Sequence, residues 1–350
     1  MALELILAAL SAFALSAWLT CRFSRPGSRL YILDHPTERS LHSRPVPRSG
    51  GVAIVVSISV VGTLLCARLG DLPDGLPWLV SAWLLTAAVG FVDDHQSRSV
   101  MVRLLVHGAA GVLVLLGGFA LEQLEVPGWA ANLPRVLAIL VTWLFVVWMI
   151  NLYNFMDGMD GFAGGMSCIG FGTFALIGVF AGHSLFATLS LVIALAALGF
   201  LCFNFPPARI FMGDVGAYSL GLLAAGFALW GVRDGLFPFW IPVLIFSPFI
   251  VDATITLIWR TLRGEPVWKA HRSHCYQRLV QHGFGHRKTV LWQYALMLAC
   301  AVSALMALHL SQFIQWLIIV CWAAVYVMLF VWVAQRHDPK ASATSSLHQG

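Results

Sequence analysis

Charge is what this sequence has least of. Only 11% of its 350 residues are Asp, Glu, Lys or Arg, against 59% that are hydrophobic, and the mean hydropathy is +0.82. A soluble chain of this length could not hide so much apolar surface, whereas a bilayer removes the need. Cysteine offers no framework either. No Cys-x-x-Cys occurs, and five of the seven cysteines lie inside apolar runs, so neither a disulfide scaffold nor a thiolate zinc site is indicated. The runs are continuous rather than alternating, which excludes a closed β-barrel.

What is present is a series of apolar runs. At roughly 20 residues per crossing, eleven qualify: 2–20, 52–67, 76–92, 104–121, 136–150, 162–181, 185–203, 215–232, 239–259, 290–308 and 313–333. Almost nothing remains between them. The expected fold class is therefore all-α: one polytopic membrane domain of about eleven transmembrane helices over 1–335, followed by a short disordered tail, 336–350. The first run has no basic region before it ("MALEL"), and its arginines follow at Arg22, Arg25 and Arg29. That order predicts a retained span with the N-terminus outside.

Alternating spans then put 21–51, 93–103, 151–161, 204–214, 260–289 and the C-terminal tail on one side. Every Lys and Arg lies there except Arg68, Arg135 and Arg233, and by the positive-inside rule that side is the cytoplasm. The histidines agree, all but His183 and His309 lying on that side or in a span close to it. So do Asp93, Asp94, Asp157, Asp160 and Asp214. Such a face attracts anionic headgroups and phosphorylated solutes. A purely structural bundle has little use for it.

Five stretches carry the chemistry. In "DHPTERSLHSRPVPRSGG", Arg39, His42, Arg44 and Arg48 are spaced by prolines and end on a glycine pair, which suits either a lipid-facing basic loop or a phosphate clamp. "FVDDHQSRS" sets Asp93 and Asp94 at a helix C-terminus, where the macrodipole disfavours negative charge. That cost argues for a counterion or a proton to handle. Arg98 and Arg103 follow, as phosphate groups or as ordinary anchors. In "NLYNFMDGMDG", Asn151, Asn154, Asp157 and Asp160 recur every three residues, close to one helical turn. Oxygen ligands of that kind suit Mg²⁺, although an Asx-rich turn would also use them. "FNFPPARIFMGDVGAYSLG" brings Asp214, which can cap a helix and still ligate a metal, and Phe205 and Phe211, which can stack on a base or mark the interface. The last is "HRSHCYQRL", with His271, Arg272 and His274. A second ligand pair at zinc spacing is missing, so these groups fit a diphosphate better. Asp252, an intramembrane acid, is functional by default, with pairing to an arginine as the alternative.

In this order the five stretches resemble the polyprenyl-phosphate N-acetylhexosamine-1-phosphate transferases of glycosyltransferase family 4, relatives of the phospho-N-acetylmuramoyl-pentapeptide transferases. The likeness runs over roughly residues 30–290. A run of histidines typical of the muramoyl branch is replaced here by "HRSH", and the first loop is arginine-rich, as in the enzymes that initiate O-antigen chains. The resemblance implies transfer of sugar 1-phosphate from a UDP-N-acetyl amino sugar to undecaprenyl phosphate, releasing UMP, at the cytoplasmic side of a bacterial inner membrane. It implies Mg²⁺, with Mn²⁺ able to substitute, held by Asn154 and Asp214. Asp93 or Asp94 would contact and deprotonate the lipid phosphate. Asp157 and Asp160 would support metal and nucleotide, with Asn154 and Asp157 exchangeable as the direct ligand. His271, Arg272 and His274 would hold the diphosphate, with Arg39, His42, Arg103, Asn151 and Phe211 as further substrate contacts.

The physics is consistent with that implication. Two anions must meet, so a divalent cation and arginines must neutralise charge as it develops, and in-line attack is mainly a matter of positioning. The expected partners are the UDP-sugar, undecaprenyl phosphate and the bilayer, with a homodimer left open and no nucleic acid. A transporter of an anionic solute is the rival from a different class, but it would need polar residues at mid-membrane depth and usually repeated halves. A muramoyl-pentapeptide-type transferase is the rival within the family.

Overall fold

The computed structural model describes residues 2–36, 41, 44–69, 72–266 and 271–335. Apolar runs become helices wherever the backbone must satisfy its own hydrogen bonds. In chain order they are α1 (Ala2–Phe23), α2 (Gly50–Leu69), α3 (Leu76–His95), α4 (Val100–Leu116), α5 (Arg135–Met156), α6 (Phe162–Phe180), α7 (Ser184–Asn204), α8 (Gly213–Arg233), α9 (Trp240–Ile245), α10 (Ser247–Leu262), α11 (Cys275–Leu279), α12 (Gly285–Ala307) and α13 (Gln312–Gln335). Among the described residues nine helical stretches are long and apolar enough to cross a membrane, and α4 is a shorter apolar helix.

Three expectations change. The run 239–259 is not one span: it breaks at Phe246 into α9 and α10, and Pro248 lies in the first turn of α10, where a missing N–H costs nothing. The run 104–121 ends as a helix at Leu116. Gly118 then adopts φ +76°, and Phe119 and Leu121 turn back into the core. The all-α expectation also gains two small antiparallel hairpins. One pairs β1 (Leu33–Asp34) with β2 (Val46–Pro47), in register Leu33↔Pro47. The other pairs β3 (Gln123–Val126) with β4 (Trp129–Asn132) across a Pro127-Gly128 turn.

The bundle is organised around α8, in which every residue from Val215 to Gly231 is buried. A helix apolar on all sides belongs in the centre. Its neighbours α2, α3 and α5 approach closely because small residues meet there. A Cβ on Gly51 would lie 2.2 Å from the Gly216 nitrogen, and one on Gly221 would lie 2.7 Å from the Met149 oxygen. At the periphery, α13 buries only Tyr326 and Val333. The ends of α3, α5, α7 and α10 and the starts of α2, α4, α6, α8 and α12 meet at one end of the bundle.

Candidate active site

At that end lies a cavity of about 570 Å³, lined by residues from all five sequence stretches. Asp94, Arg103, Asn151, Asn154, Asp157, Asp160, Phe211, Asp214, His271 and His274 all reach it. Asp93 and Arg272 do not line it, and Arg39 and His42 lie outside the described residues.

The adjacent aspartates at the end of α3 have separate jobs. Asp93 turns inward and is 1% exposed. It accepts from the Tyr218 hydroxyl at 3.0 Å and from the Arg98 N–H at 2.6 Å, and the Arg103 Nε lies 2.8 Å from its Oδ2. Its oxygens are committed to holding α4 and α8 against α3. Asp94 instead meets the cavity and the start of α8. The Asp214 N–H donates to its Oδ1 at 3.0 Å, and the Val215 N–H to its Oδ2 at 3.2 Å. These are helix-start donors with no partner inside α8, where a carboxylate is also favoured by the macrodipole. The charge that α3 disfavours at its end, α8 favours at its start.

Gly213 makes this contact feasible. It has φ +73°, and a Cβ there would fall 2.3 Å from the Arg48 oxygen and 2.7 Å from the Asp94 Oδ2. The first loop is zipped to the same corner. Phe211 N–H donates to Pro47 O, Gly50 N–H to Phe211 O and Gly51 N–H to Met212 O, at 2.7, 2.9 and 2.7 Å. Arg48 is thereby held at the rim, with its Nε 3.9 Å from Asp94 Oδ1 and Nη1 3.7 Å from Asp34 Oδ1.

The opposite wall is the end of α5 and the turn after it. The helix continues to Met156 and Asp157 is its C-cap, so the polar residues spaced by three do share a stripe, as far as that cap. Asn151 Nδ2 donates to Val147 O at 2.7 Å and lies 3.3 Å from His107 Nδ1. Gly161, at φ +76°, closes the turn; its N–H donates to Asn204 Oδ1, whose Nδ2 donates to Ile210 O. Asn204 thus ties the third stretch to the fourth. Asp160 accepts from the Ala208 N–H at 3.0 Å, and the His286 Nδ1 stands 3.2 Å from its Oδ1. Among the described residues, the side chains of Asn154 and Asp157 form no hydrogen bond or ion pair. Burial, reinforced by the carboxylates of Asp214, Asp94, Asp160 and Asp34, holds the Asp157 carboxyl well above the usual range.

The fifth stretch is fastened from behind by Asp252. Its Oδ1 accepts from the Cys275 N–H at 2.9 Å and from the Thr256 hydroxyl at 3.1 Å, and its Oδ2 from the Tyr276 N–H at 3.3 Å. His274 Nδ1 is 3.5 Å from Oδ1. The alternative of an arginine partner is not what the structure shows: Asp252 is held by these backbone, hydroxyl and imidazole groups. Tyr276 donates to Phe155 O at 2.9 Å, locking α11 under the end of α5. His271, 2.7 Å from the Ser273 hydroxyl through Nδ1, is lowered to about 4 by burial and by the neighbouring His274 and Arg260.

The electrostatic sum is acidic. Asp34, Asp94, Asp157, Asp160 and Asp214 face the cavity, against Arg48 and Arg103 as its only lining arginines among the described residues. Ionised together, these carboxylates would repel phosphates unless a cation or bound protons offset the charge. The carboxylate and amide oxygens there fit a hard ion such as Mg²⁺, which takes one or two carboxylates and shares the rest with water and phosphate, while the imidazoles of His271, His274 and His286 line the same cavity. Among the described residues no three His, Cys, Asp or Glu side chains form a ready-made ligand cluster.

The sequence pattern does not single out Asp34, Tyr218 or Tyr276, and leaves Asn204 and His286 without a role of their own. Asn204 and Tyr218 lie within the quoted fourth stretch, so proximity to Asp214 was a usable signal. Asp34 likewise opens the quoted first stretch, whereas His286 lies outside all five.

Comparison with known proteins gives the family. The family model "Glycosyl transferase family 4" matches residues 76–232. The chain is 32% identical over 302 residues to the "Probable undecaprenyl-phosphate N-acetylglucosaminyl 1-phosphate transferase" of Bacillus subtilis (strain 168), covering 82% of each chain. It is 31% identical to the "Decaprenyl-phosphate N-acetylglucosaminephosphotransferase" of Mycolicibacterium smegmatis, covering 84% of this chain and 79% of the relative. It is 30% identical to the "Phospho-N-acetylmuramoyl-pentapeptide-transferase" of Symbiobacterium thermophilum, covering 70% and 78%. With relatives this similar over most of their length and five motifs meeting in one cavity, the chain belongs to glycosyl transferase family 4.

Proposed function

We propose that this protein transfers N-acetylhexosamine 1-phosphate from a UDP-sugar to undecaprenyl phosphate, starting a lipid-linked glycan at the cytoplasmic face of the inner membrane. N-Acetylglucosamine is the sugar the relatives' names favour. The observation that carries the reading is the acidic, oxygen-lined cavity at one end of an apolar bundle, with arginines at its rim. A polar nucleotide and a hydrocarbon-anchored phosphate can meet only at such a boundary. The bias of Lys and Arg toward the cavity end supports a cytoplasmic orientation.

In this reading an oxygen of the lipid phosphate attacks the β-phosphorus of the UDP-sugar in line. One phosphoanhydride forms as the other breaks, and UMP leaves with the electron pair. A divalent cation, when bound, supplies charge neutralisation across the phosphates. Asn154, Asp157 and Asp214 would hold it. Asp94, on the cavity, orients the lipid phosphate and takes its proton where one remains. Asp93 keeps Arg103 aimed at the site. His271 and His274 face the donor diphosphate, and Asp160 with His286 sets the rim near Ala208. The lipid phosphate is already a competent nucleophile, which favours direct attack over an aspartyl-phosphate intermediate.

The deciding assay uses purified membranes with a panel of UDP-N-acetyl amino sugars and Mg²⁺. UMP formed only when polyprenyl phosphate is present supports the transfer, and the preferred donor fixes the sugar. Uptake of the donor with no nucleotide product would favour transport instead. Exchange of labelled UMP into UDP-sugar without lipid acceptor would favour the covalent route. O-antigen initiation is the pathway we assign, and restoration of O-antigen by this chain in a strain lacking its initiating transferase tests it.

A further inference from the structure

A second cavity, of about 550 Å³, lies on the other side of the fifth stretch. Its walls are the end of α10 (Thr256, Trp259, Arg260) with the capping Arg263, the alternate residues Ser273 and Cys275 with Arg278, and the end of α13. The catalytic cavity takes His271, His274, Tyr276 and Gln277 from the same strap. The strap therefore forms a partition between two chambers, with Asp252 fastening it.

The second chamber has a distinct chemistry. Among the described residues three arginines reach it, against one carboxylate, Glu265. Arg260 is spoken for: its Nε lies 2.8 Å from Glu265 Oε2, and its Nη2 donates to Pro266 O. Arg263 rests on the Trp259 ring, its guanidinium carbon 5.0 Å from the centroid. Neither Arg263 nor Arg278 forms an ion pair among the described residues. The rim beside them is apolar and exposed: Leu262 is 80% exposed, Trp259 57% and Val331 48%. In a chain with this many spans, such a rim faces lipid rather than water.

We infer that this chamber is a site for a resident anionic phospholipid, its phosphodiester held by Arg263 and Arg278 and its acyl chains laid along Trp259 and the Phe330–Val331 end of α13. Guanidinium groups suit phosphate oxygens through paired N–H donors. A free nucleotide or inorganic phosphate has no use for the apolar rim. The acidic wall that a transferable phosphate would need, with its cation, lies in the other cavity, so the occupant here is not the reacting lipid. Because the strap is shared, a headgroup on the rear supports the side that presents His271 and His274. Binding of a phospholipid here rests on membrane embedding, and only its distinction from the reacting lipid rests on the transferase reading.

Native mass spectrometry of the full chain, released from micelles containing equal phosphatidylglycerol and phosphatidylcholine, tests it without measuring activity. The wild type is expected to retain one phosphatidylglycerol in preference to phosphatidylcholine. Each interfacial arginine contributes about fivefold, so Arg263→Gln with Arg278→Gln should lose about 25-fold in retention. Arg263→Lys with Arg278→Lys, which keeps the charge and guards against misfolding, should stay within about fivefold of wild type. Equal retention by the wild type and the double Gln variant would overturn the site. So would equal retention of the two lipids, or displacement of the bound lipid by inorganic phosphate or by polyprenyl phosphate at matched concentration.

Discussion

The Asp94 carboxylate, at the end of α3, accepts the backbone N–H of Asp214 at 3.0 Å and so caps α8. Two stretches 120 residues apart are thereby fixed at the same end of the bundle. One carboxylate does two things at once: it satisfies the orphan donors of a buried helix start, and it contributes charge to the cavity.

Asp94→Asn should separate these roles. The amide oxygen can still accept one N–H, so the thermal midpoint should fall only slightly, as for loss of part of a cap, about 1 kcal/mol. Transfer should fall by at least about 100-fold if the charge is used in the reaction, of the order lost with one preorganised polar group. UMP release and thermal unfolding on the same preparation give the comparison.

Asp93→Asn should behave in the opposite proportion. It leaves Arg103 facing a neutral amide in a buried corner and weakens the Tyr218 bond. Breaking a buried pair from one side costs up to about 3–5 kcal/mol, less here because Arg103 is partly exposed. A larger drop in thermal midpoint than in Asp94→Asn is expected, and an equal or smaller drop would contradict the assignment of Asp93 as a positioning group.

Asp252→Ala removes every acceptor behind the strap. The Cys275 and Tyr276 N–H groups lose their partner, a cost of roughly 1–3 kcal/mol for each buried donor left unpaired. Faster amide hydrogen exchange across 272–279 should appear first, with a rise in donor KM of about tenfold or more, while the exchange of α8 stays unchanged. Asp252→Asn, which keeps one acceptor oxygen, should fall between wild type and Ala.

Gly51→Ala and Gly62→Ala form a matched pair within α2. The first puts a Cβ 2.2 Å from the Gly216 nitrogen and forces two backbones apart, which should cost about 1–3 kcal/mol. The second meets nothing within 4 Å and should be neutral or stabilising by up to about 1 kcal/mol from helix propensity. Thermal unfolding in one detergent reads both.

Cation binding should release protons. The Asp157 carboxyl is raised by burial and by four surrounding carboxylates, so near neutrality it carries more proton than an ordinary aspartate. A divalent ion needs the ionised form and competes with that proton, so affinity should rise with pH until the group is fully ionised. Titration calorimetry with Mg²⁺ in two buffers of different ionisation enthalpy should show proton release that Asp157→Asn removes. A pH-independent affinity would mean that Asp157 is not linked to the ion.

The membrane class, the helical segments and the five reactive stretches were legible in the residues because each depends on local composition. Twenty apolar residues in a row have few options in any context. The Asn151–Asp157 stripe was legible for the same reason, since spacing along a helix fixes a face. The break at Phe246 was less so: prolines at 242 and 248 were visible, yet a hydropathy window averages over them. The hairpins escaped because two to four residues leave no periodic signal.

What the amino-acid order determined by itself was therefore the solvent, the segments and the inventory of charged groups. Only the tertiary structure decided that Asp94 faces the cavity while Asp93 faces Arg103, because neighbouring residues on a helix point about 100° apart and the packing of α8 chooses between them. It likewise decided that Asp252 fastens the strap and that five carboxylates share the cavity with two arginines among the described residues. Those outcomes depend on which distant side chains share a low-dielectric space, where partners separated by more than 100 residues in sequence outweigh nearest neighbours.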